Sequence, residues 1–310
     1  MSRRTSDPVV RAPRLGDLEA VLDLLIARDT ADLGQPDVDA GDVLADWEDP
    51  AVDLSRDAWV VEGEGRLAGY GLAGPGGHLD VVVHPQDEGR GLGRVLLALA
   101  EGRALERARP GERLRLVQML GAANDQARDL LEAAGYRVAQ RFWRMRLALA
   151  GTPAPAWPAG VTLSTHEPGD ADHEVHALIQ AAFAEIPGNI EESFERWRAR
   201  RMLAADFDPT AWLLAREDDG ALVGAALCEL WPDEDTGYVA QLATRADRRG
   251  LGLGRALLLA AFADWRRRGL GRGALDVNAL NESGLRLYRS VGMEVAWRTD
   301  RYEKEVVAPG

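Results

Sequence analysis

The 310-residue chain has a single cysteine, Cys228, and a single lysine, Lys304. One cysteine excludes an internal disulfide framework and any cysteine cluster for zinc. Cys228 lies in the apolar run from Leu222 to Leu230 and reads as a small core residue. No apolar run reaches the ~20 residues of a membrane span, and Met1-Ser2-Arg3-Arg4-Thr5 is followed by Asp7 and Pro8 where a secretory signal would have its apolar core. The expectation is a cytoplasmic protein without a membrane partner. Basic residues are outnumbered, 37 against 50, leaving a net charge of −13. That balance disfavours nucleic acid as a partner and favours a cationic small molecule. All five histidines lie at or before His176; His173 and His176 share a helix, but with no second cluster no metal site is expected.

Glycine, by contrast, is plentiful. In Arg249-Gly250-Leu251-Gly252-Leu253-Gly254-Arg255, three glycines separate the apolar run 239–244 from a helical pattern that begins at Ala256. A strand turning through glycines into a helix presents unpaired backbone N–H groups and the positive end of the helix dipole to one point. Such a point favours an anion, most often a phosphate. The spacing excludes two common nucleotide loops. A Gly-x-Gly-x-x-Gly fingerprint fails because its third place is Arg255 or Leu257, and a Gly-Lys-Ser/Thr loop fails because the only lysine is Lys304.

The same succession runs twice along the chain. A helix over 15–29, a hairpin over 58–72, a strand over 79–85, a glycine loop at 88–94 and a helix over 95–108 are followed by strand, helix and strands to 149. From Val161 the plan returns, with Trp212, Gly224, Gly254 and Asn281 in the places of Trp59, Gly69, Gly93 and Asn124. A repeat of this length is a duplicated domain and not a solenoid. The stiff stretch Gly151-Thr152-Pro153-Ala154-Pro155-Ala156-Trp157-Pro158 reads as a linker. The expected architecture is α/β (α+β), with tandem domains at 1–150 and 161–310 and a linker at 151–160. Each domain is expected to be a mixed, mostly antiparallel sheet flanked by helices.

The glycine loop also fits Arg-x-x-Gly-x-Gly, read as Arg249, Gly252 and Gly254, and here the chain resembles the GCN5-related N-acetyltransferase (GNAT) family. Downstream, Asn281, Tyr288 and Gly292 match the family's order of an Asn, a helix carrying Tyr, and a Gly; Met293 stands where an aromatic is usual. The resemblance implies that Arg249, Gly250, Leu251, Gly252, Leu253, Gly254 and Arg255 hold the pyrophosphate of acetyl-coenzyme A, with Asn281 nearby. It also implies that the backbone of Leu242, Ala243 and Thr244 polarises the thioester. In the first copy Gly91 and Gly93 keep the loop, but Glu88 replaces the leading Arg or Gln, and Leu131 stands in the place of Tyr288. That copy is expected to be catalytically degenerate.

The reaction implied is direct attack of a small-molecule primary amine on acetyl-coenzyme A, with Tyr288 giving a proton to the departing sulfur. The amine must lose a proton first. Many relatives carry a Glu eleven residues before the first loop position, where this chain has Tyr238; Glu229 is the favoured base, and Asp276 or a water wire are the alternatives. A cysteinyl amine or a self-toxic amine remains open as acceptor. A non-catalytic acyl-coenzyme A sensor is the reading from another class, and Tyr288 argues against it.

Overall fold

A computed structural model describes residues 9–169, 171–186, 191–203 and 207–310. Residues 1–8, in which no signal core is expected, lie outside the described ones. Contacts divide the chain into two units, the first running to Arg141 and taking in Trp297–Gly310, the second Phe142–Ala296.

In unit 1, β1 (Val10–Arg11) is followed by α1 (Leu18–Leu33), α2 (Ala40–Trp47), the short α3 (Leu54–Asp57) and the strands β2 (Ala58–Glu62), β3 (Leu67–Ala73) and β4 (His78–Val83). Next come α4 (Leu92–Arg107), β5 (Arg113–Gly121), α5 (Asp125–Ala133) and the start of β6 (Arg137–Ala148). Unit 2 repeats the order: β7 (Val161–Thr165), α6 (Ala171–Phe183), α7 (Phe194–Met202), β8 (Leu213–Glu217), β9 (Leu222–Trp231), β10 (Thr236–Thr244), α8 (Leu253–Arg267), β11 (Arg272–Asn278), α9 (Glu282–Ser290) and only the start of β12 (Glu294–Val307).

Each sheet is antiparallel except at one junction, where β4 runs parallel to β5 in unit 1 and β10 parallel to β11 in unit 2. A parallel junction needs a crossover, which α4 and α8 supply. The expected boundaries at 150 and 161 differ from this division: the end of β6 belongs to unit 2, most of β12 belongs to unit 1, and residues 151–160, expected as a linker between domains, fall inside unit 2. From Phe142 to Ala148, β6 pairs antiparallel with β11 of unit 2, whereas β12 from Thr299 to Val307 pairs with β5 of unit 1. Packing explains the first half of this exchange: fully buried Met145 and the adjacent Leu147 join the core built on α8.

Helices cover both faces of each sheet, and the strands beneath them, β3 and β9, read as nearly continuous buried runs. In unit 2, Leu257, Phe262 and Trp265 of α8 pack with Met145, Val239 and Leu275 on one face. On the other, Val175 and Ile179 of α6 and Trp197 of α7 pack with Trp212, Leu214 and Leu227. Trp265 lies so close to β10 that a Cβ on Gly237 would sit 2.1 Å from its ring. In unit 1, α1 and α2 cover β2 and β3, and Trp47 Nε1 donates to the Tyr70 hydroxyl at 2.9 Å. Each large side chain so buried contributes roughly 1.5–3 kcal/mol.

Candidate active site

The turn from β10 into α8 passes through Gly250 and Gly252 with φ of +79° and +85°, left-handed values that a side chain would strain. Gly252 is the N-cap, and the first intrahelical bond there runs from Ala256 N–H to the Gly252 carbonyl at 2.9 Å. The N–H groups of residues 250–255 have no partner among the described residues. They leave unpaired donors at the positive end of a 15-residue helix, an arrangement suited to an anion. Gly254 has its own constraint, since a Cβ there would stand 3.3 Å from Leu287 of α9. A diphosphate fits this cradle, because its oxygens would meet donors that the chain leaves unused.

Unit 1 builds the same turn. Gly89 and Gly91 have φ of +74° and +81°, Gly91 caps α4, and the N–H groups of residues 89–94 likewise have no partner among the described residues. The charges beside the two loops are reversed. Arg249 donates to Glu185 at 2.5 Å, whereas Glu88, its counterpart, accepts from Arg28 of α1. The carboxylate that stands in place of the leading Arg or Gln in unit 1 is thus answered by a guanidinium on α1.

Past Val239 and Leu275, β10 and β11 no longer pair, and a bulge leaves Ala240 unmatched against β9. A bulge beside a parted strand pair re-aims the backbone and opens a slot in the sheet. Arg245 N–H donates to the Val223 carbonyl on β9 at 2.9 Å, so alternation along the strand turns the N–H groups of Leu242 and Thr244 toward that slot. Leu242, Ala243 and Thr244 pair with Ala226, Ala225 and Gly224 along their other edge.

Tyr288 lies on α9 and is 8% exposed, packed with Leu285 in the α8 core. Its hydroxyl has no hydrogen-bond partner among the described residues, and burial pushes the phenol up to about 12, so it holds its proton at neutral pH. Asn281 is the N-cap of the same helix: its Oδ1 accepts from Gly284 N–H at 2.9 Å and from the Ser283 hydroxyl at 3.0 Å. The cap occupies the side-chain carbonyl, so any ligand contact would fall to the amide nitrogen. Leu131, buried on α5, is the apolar counterpart of Tyr288.

The two carboxylates weighed as bases differ in their surroundings. Asp276 is gripped by Arg144 in a two-pronged pair, Nε to Oδ1 at 2.6 Å and Nη2 to Oδ2 at 3.0 Å, and accepts from the Tyr238 hydroxyl at 3.2 Å. Glu229 sits directly opposite Tyr238 across β9 and β10, on the same sheet face, and accepts from Arg201 at 2.6 Å on Oε1. Burial lowers the pKa of Arg201. A hollow of about 130 Å³ lies between Arg201, Glu229 and the bulge residue Ala240. Trp231 stacks on Tyr238 with ring centroids 4.4 Å apart, and the Arg144 guanidinium lies over both rings. Arg144 escaped the sequence reading because it precedes the linker, and only the pairing of β6 with β11 brings it here. Trp212 packs in the core, and Cys228 is buried with its thiol pushed up by desolvation. No group of three or more His, Cys, Asp or Glu that could hold a metal occurs among the described residues. No helix among them is long and apolar enough to cross a membrane.

The larger cavity, about 500 Å³, is in unit 1, between α1, the parted ends of β4 and β5, and the loop at 88–94. It has the same placement relative to its glycine turn as the slot in unit 2.

Comparison with known proteins agrees with this geometry. The model of the acetyltransferase (GNAT) family matches residues 18–136 and again 174–293. A mycothiol acetyltransferase of Thermobispora bispora is 36% identical over 293 residues, covering 92% of this chain and 95% of the relative. Another, from Streptomyces coelicolor, is 33% identical, with 80% and 77% covered. Among solved structures, a GCN5-related N-acetyltransferase from Sphaerobacter thermophilus superposes with a TM-score of 0.83 at 33% identity, over 98% of this chain and 97% of that one. A tandem GNAT protein from the clavulanic acid biosynthesis pathway reaches 0.73 at 20% identity, over 98% and 99%, a likeness of fold alone. The chain therefore belongs to the GCN5-related N-acetyltransferase family, as a tandem acyltransferase whose acetyl donor is acetyl-coenzyme A.

Proposed function

We propose that unit 2 carries out the transfer, moving an acetyl group from acetyl-coenzyme A to the primary amine of a small molecule by direct attack. The observation that carries this reading is the row of unpartnered N–H groups at 250–255, set beside the parted strands at Ala240. In this reading residues 250–255 hold the diphosphate, Arg249 adds charge beside it, and the N–H groups of Leu242 and Thr244 polarise the thioester carbonyl. The bound acetyl-coenzyme A supplies the acyl group and a thiol leaving group. Tyr288, protonated at neutral pH, gives its proton to that sulfur. Glu229, which lines the hollow beside the bulge at Ala240, takes the proton of the amine, with Asp276 as the alternative. Gly91 and Gly93 of unit 1 would hold a second acetyl-coenzyme A, with Arg28 offsetting Glu88.

A second, finer reading is that the acceptor is a cysteinyl amine, as in a mycothiol acetyltransferase. The 36% identity to the Thermobispora bispora enzyme across nearly both chains favours it. One experiment separates the readings: thiol release from acetyl-coenzyme A across an amine panel that includes a cysteinyl glycoside. We expect turnover that Tyr288→Phe suppresses. Binding of acetyl-coenzyme A without turnover on any amine, and no effect of Tyr288→Phe, would instead leave a sensor.

A further inference from the structure

Helix α7 braces two side chains of the sheet beneath it. Trp197, fully buried, donates from Nε1 to Oε1 of Gln241 on β10 at 3.1 Å. One turn further along, Arg201 donates to Glu229 on β9 at 2.6 Å. Gln241 lies opposite Leu227 and Tyr238 opposite Glu229, with the bulge residue Ala240 between the two pairs. Leu227 and Glu229 are two positions apart on β9, so all four side chains share one sheet face. Gln241 and Glu229 are therefore diagonal neighbours on adjacent strands, close enough for both to meet one small ligand.

An indole nitrogen can only donate, so the atom that meets Trp197 is the amide oxygen of Gln241, and the amide nitrogen is turned away from it. Gln241 is 9% exposed, yet that nitrogen donates to nothing among the described residues. It keeps access to solvent, unlike the Nε of Arg201, which is closed off. A side chain this deeply buried ordinarily has its donors satisfied inside the protein. Here the oxygen fixes the orientation and the N–H donors are left unused, one residue from Leu242, whose own N–H turns toward the slot.

We infer that Gln241 is a specificity-determining residue for the acceptor, its amide nitrogen donating to a carbonyl oxygen on the carbon next to the one that bears the amine. The acceptor class this names is an α-amino carbonyl compound. The inference rests on the reading that unit 2 performs the transfer and that Glu229 takes the proton of the amine. With the amine at Glu229, its diagonal neighbour meets the adjoining carbonyl. A neutral oxygen suits the place better than a carboxylate, which would meet the like charge of Glu229.

The test compares thiol release from acetyl-coenzyme A with glycinamide and with propargylamine, an amine of similar basicity that has no oxygen. In the wild type we expect kcat/KM for glycinamide to exceed that for propargylamine about tenfold or more, because a site built to donate a hydrogen bond rejects an analogue without the acceptor. The ratio should fall about fivefold in Gln241→Met, through loss of one neutral hydrogen bond. It should fall at least as far in Gln241→Glu, which keeps an oxygen for Trp197 Nε1, so that the test does not depend on the folding of Gln241→Met. A wild-type ratio near one, a ratio that survives both variants, or turnover of other amines with none of glycinamide overturns the assignment while the transfer reading stands. No turnover on any amine overturns that reading, and this inference with it.

Discussion

At the scale of single residues, the two copies share the glycine turn and differ at the position of Tyr288, where unit 1 has Leu131. Tyr288 keeps its proton to about pH 12, whereas Leu131 has none to give. If Tyr288 is the proton donor, Tyr288→Phe should lower kcat by ~10²–10⁴-fold and leave the dissociation constant for acetyl-coenzyme A within a factor of two or so, as measured by thiol release and calorimetry. Asp80, on β4 in the wall of the unit 1 cavity, is pushed up by burial and makes a different prediction. Its folded value of about 6 lies above the ordinary 3.8, so it contributes stability that is fully present below 3.8 and lost as the pH rises through about 6. Asp80→Asn should therefore melt higher than the wild type at pH 7.5, by roughly 2–4 °C for each kcal/mol recovered, with the difference vanishing near pH 3.5. Asn281 and the glycines were legible in the sequence because a helix start and a tight turn each have a local signature, whereas Tyr288 was reached only through the family resemblance. Arg144 and Arg28 were not, because neither has one: Arg144 meets Asp276 from 132 positions away and Arg28 meets Glu88 from 60.

At the scale of elements, the site depends on how closely α8 lies against β10. Gly237 is the point of nearest approach, and a methyl there would enter the Trp265 ring. Gly237→Ala should destabilise unit 2 by about 1–3 kcal/mol or more, seen as an early loss of structure in urea. The bulge at Ala240 was invisible in the sequence, since no Gly or Pro marks it. It follows from a mismatch of register between β9 and β10, a tertiary fact. The parallel junctions beside α4 and α8, by contrast, could be anticipated from strand, helix and strand in succession.

At the scale of the whole molecule, the repeat was plain in the sequence, but the placement of its last strands was not. Strands β6 and β12 follow equivalent helices and resemble each other in pattern, so nothing local says which sheet either joins. A chain of residues 151–310 would lack β6, and with it Met145 and the Arg144 grip on Asp276. We expect that piece to show no cooperative thermal transition, while residues 142–296 retain one, as read by circular dichroism. The central claim is that the N–H groups at the start of α8 hold the donor for a reaction performed in unit 2. Its most direct test is the rate of thiol release by Gly252→Asp and by Gly91→Asp, each placing a carboxylate in one of the two cradles. Turnover should vanish in Gly252→Asp and persist in Gly91→Asp; equal losses, or a greater loss in Gly91→Asp, would contradict a donor held at the start of α8.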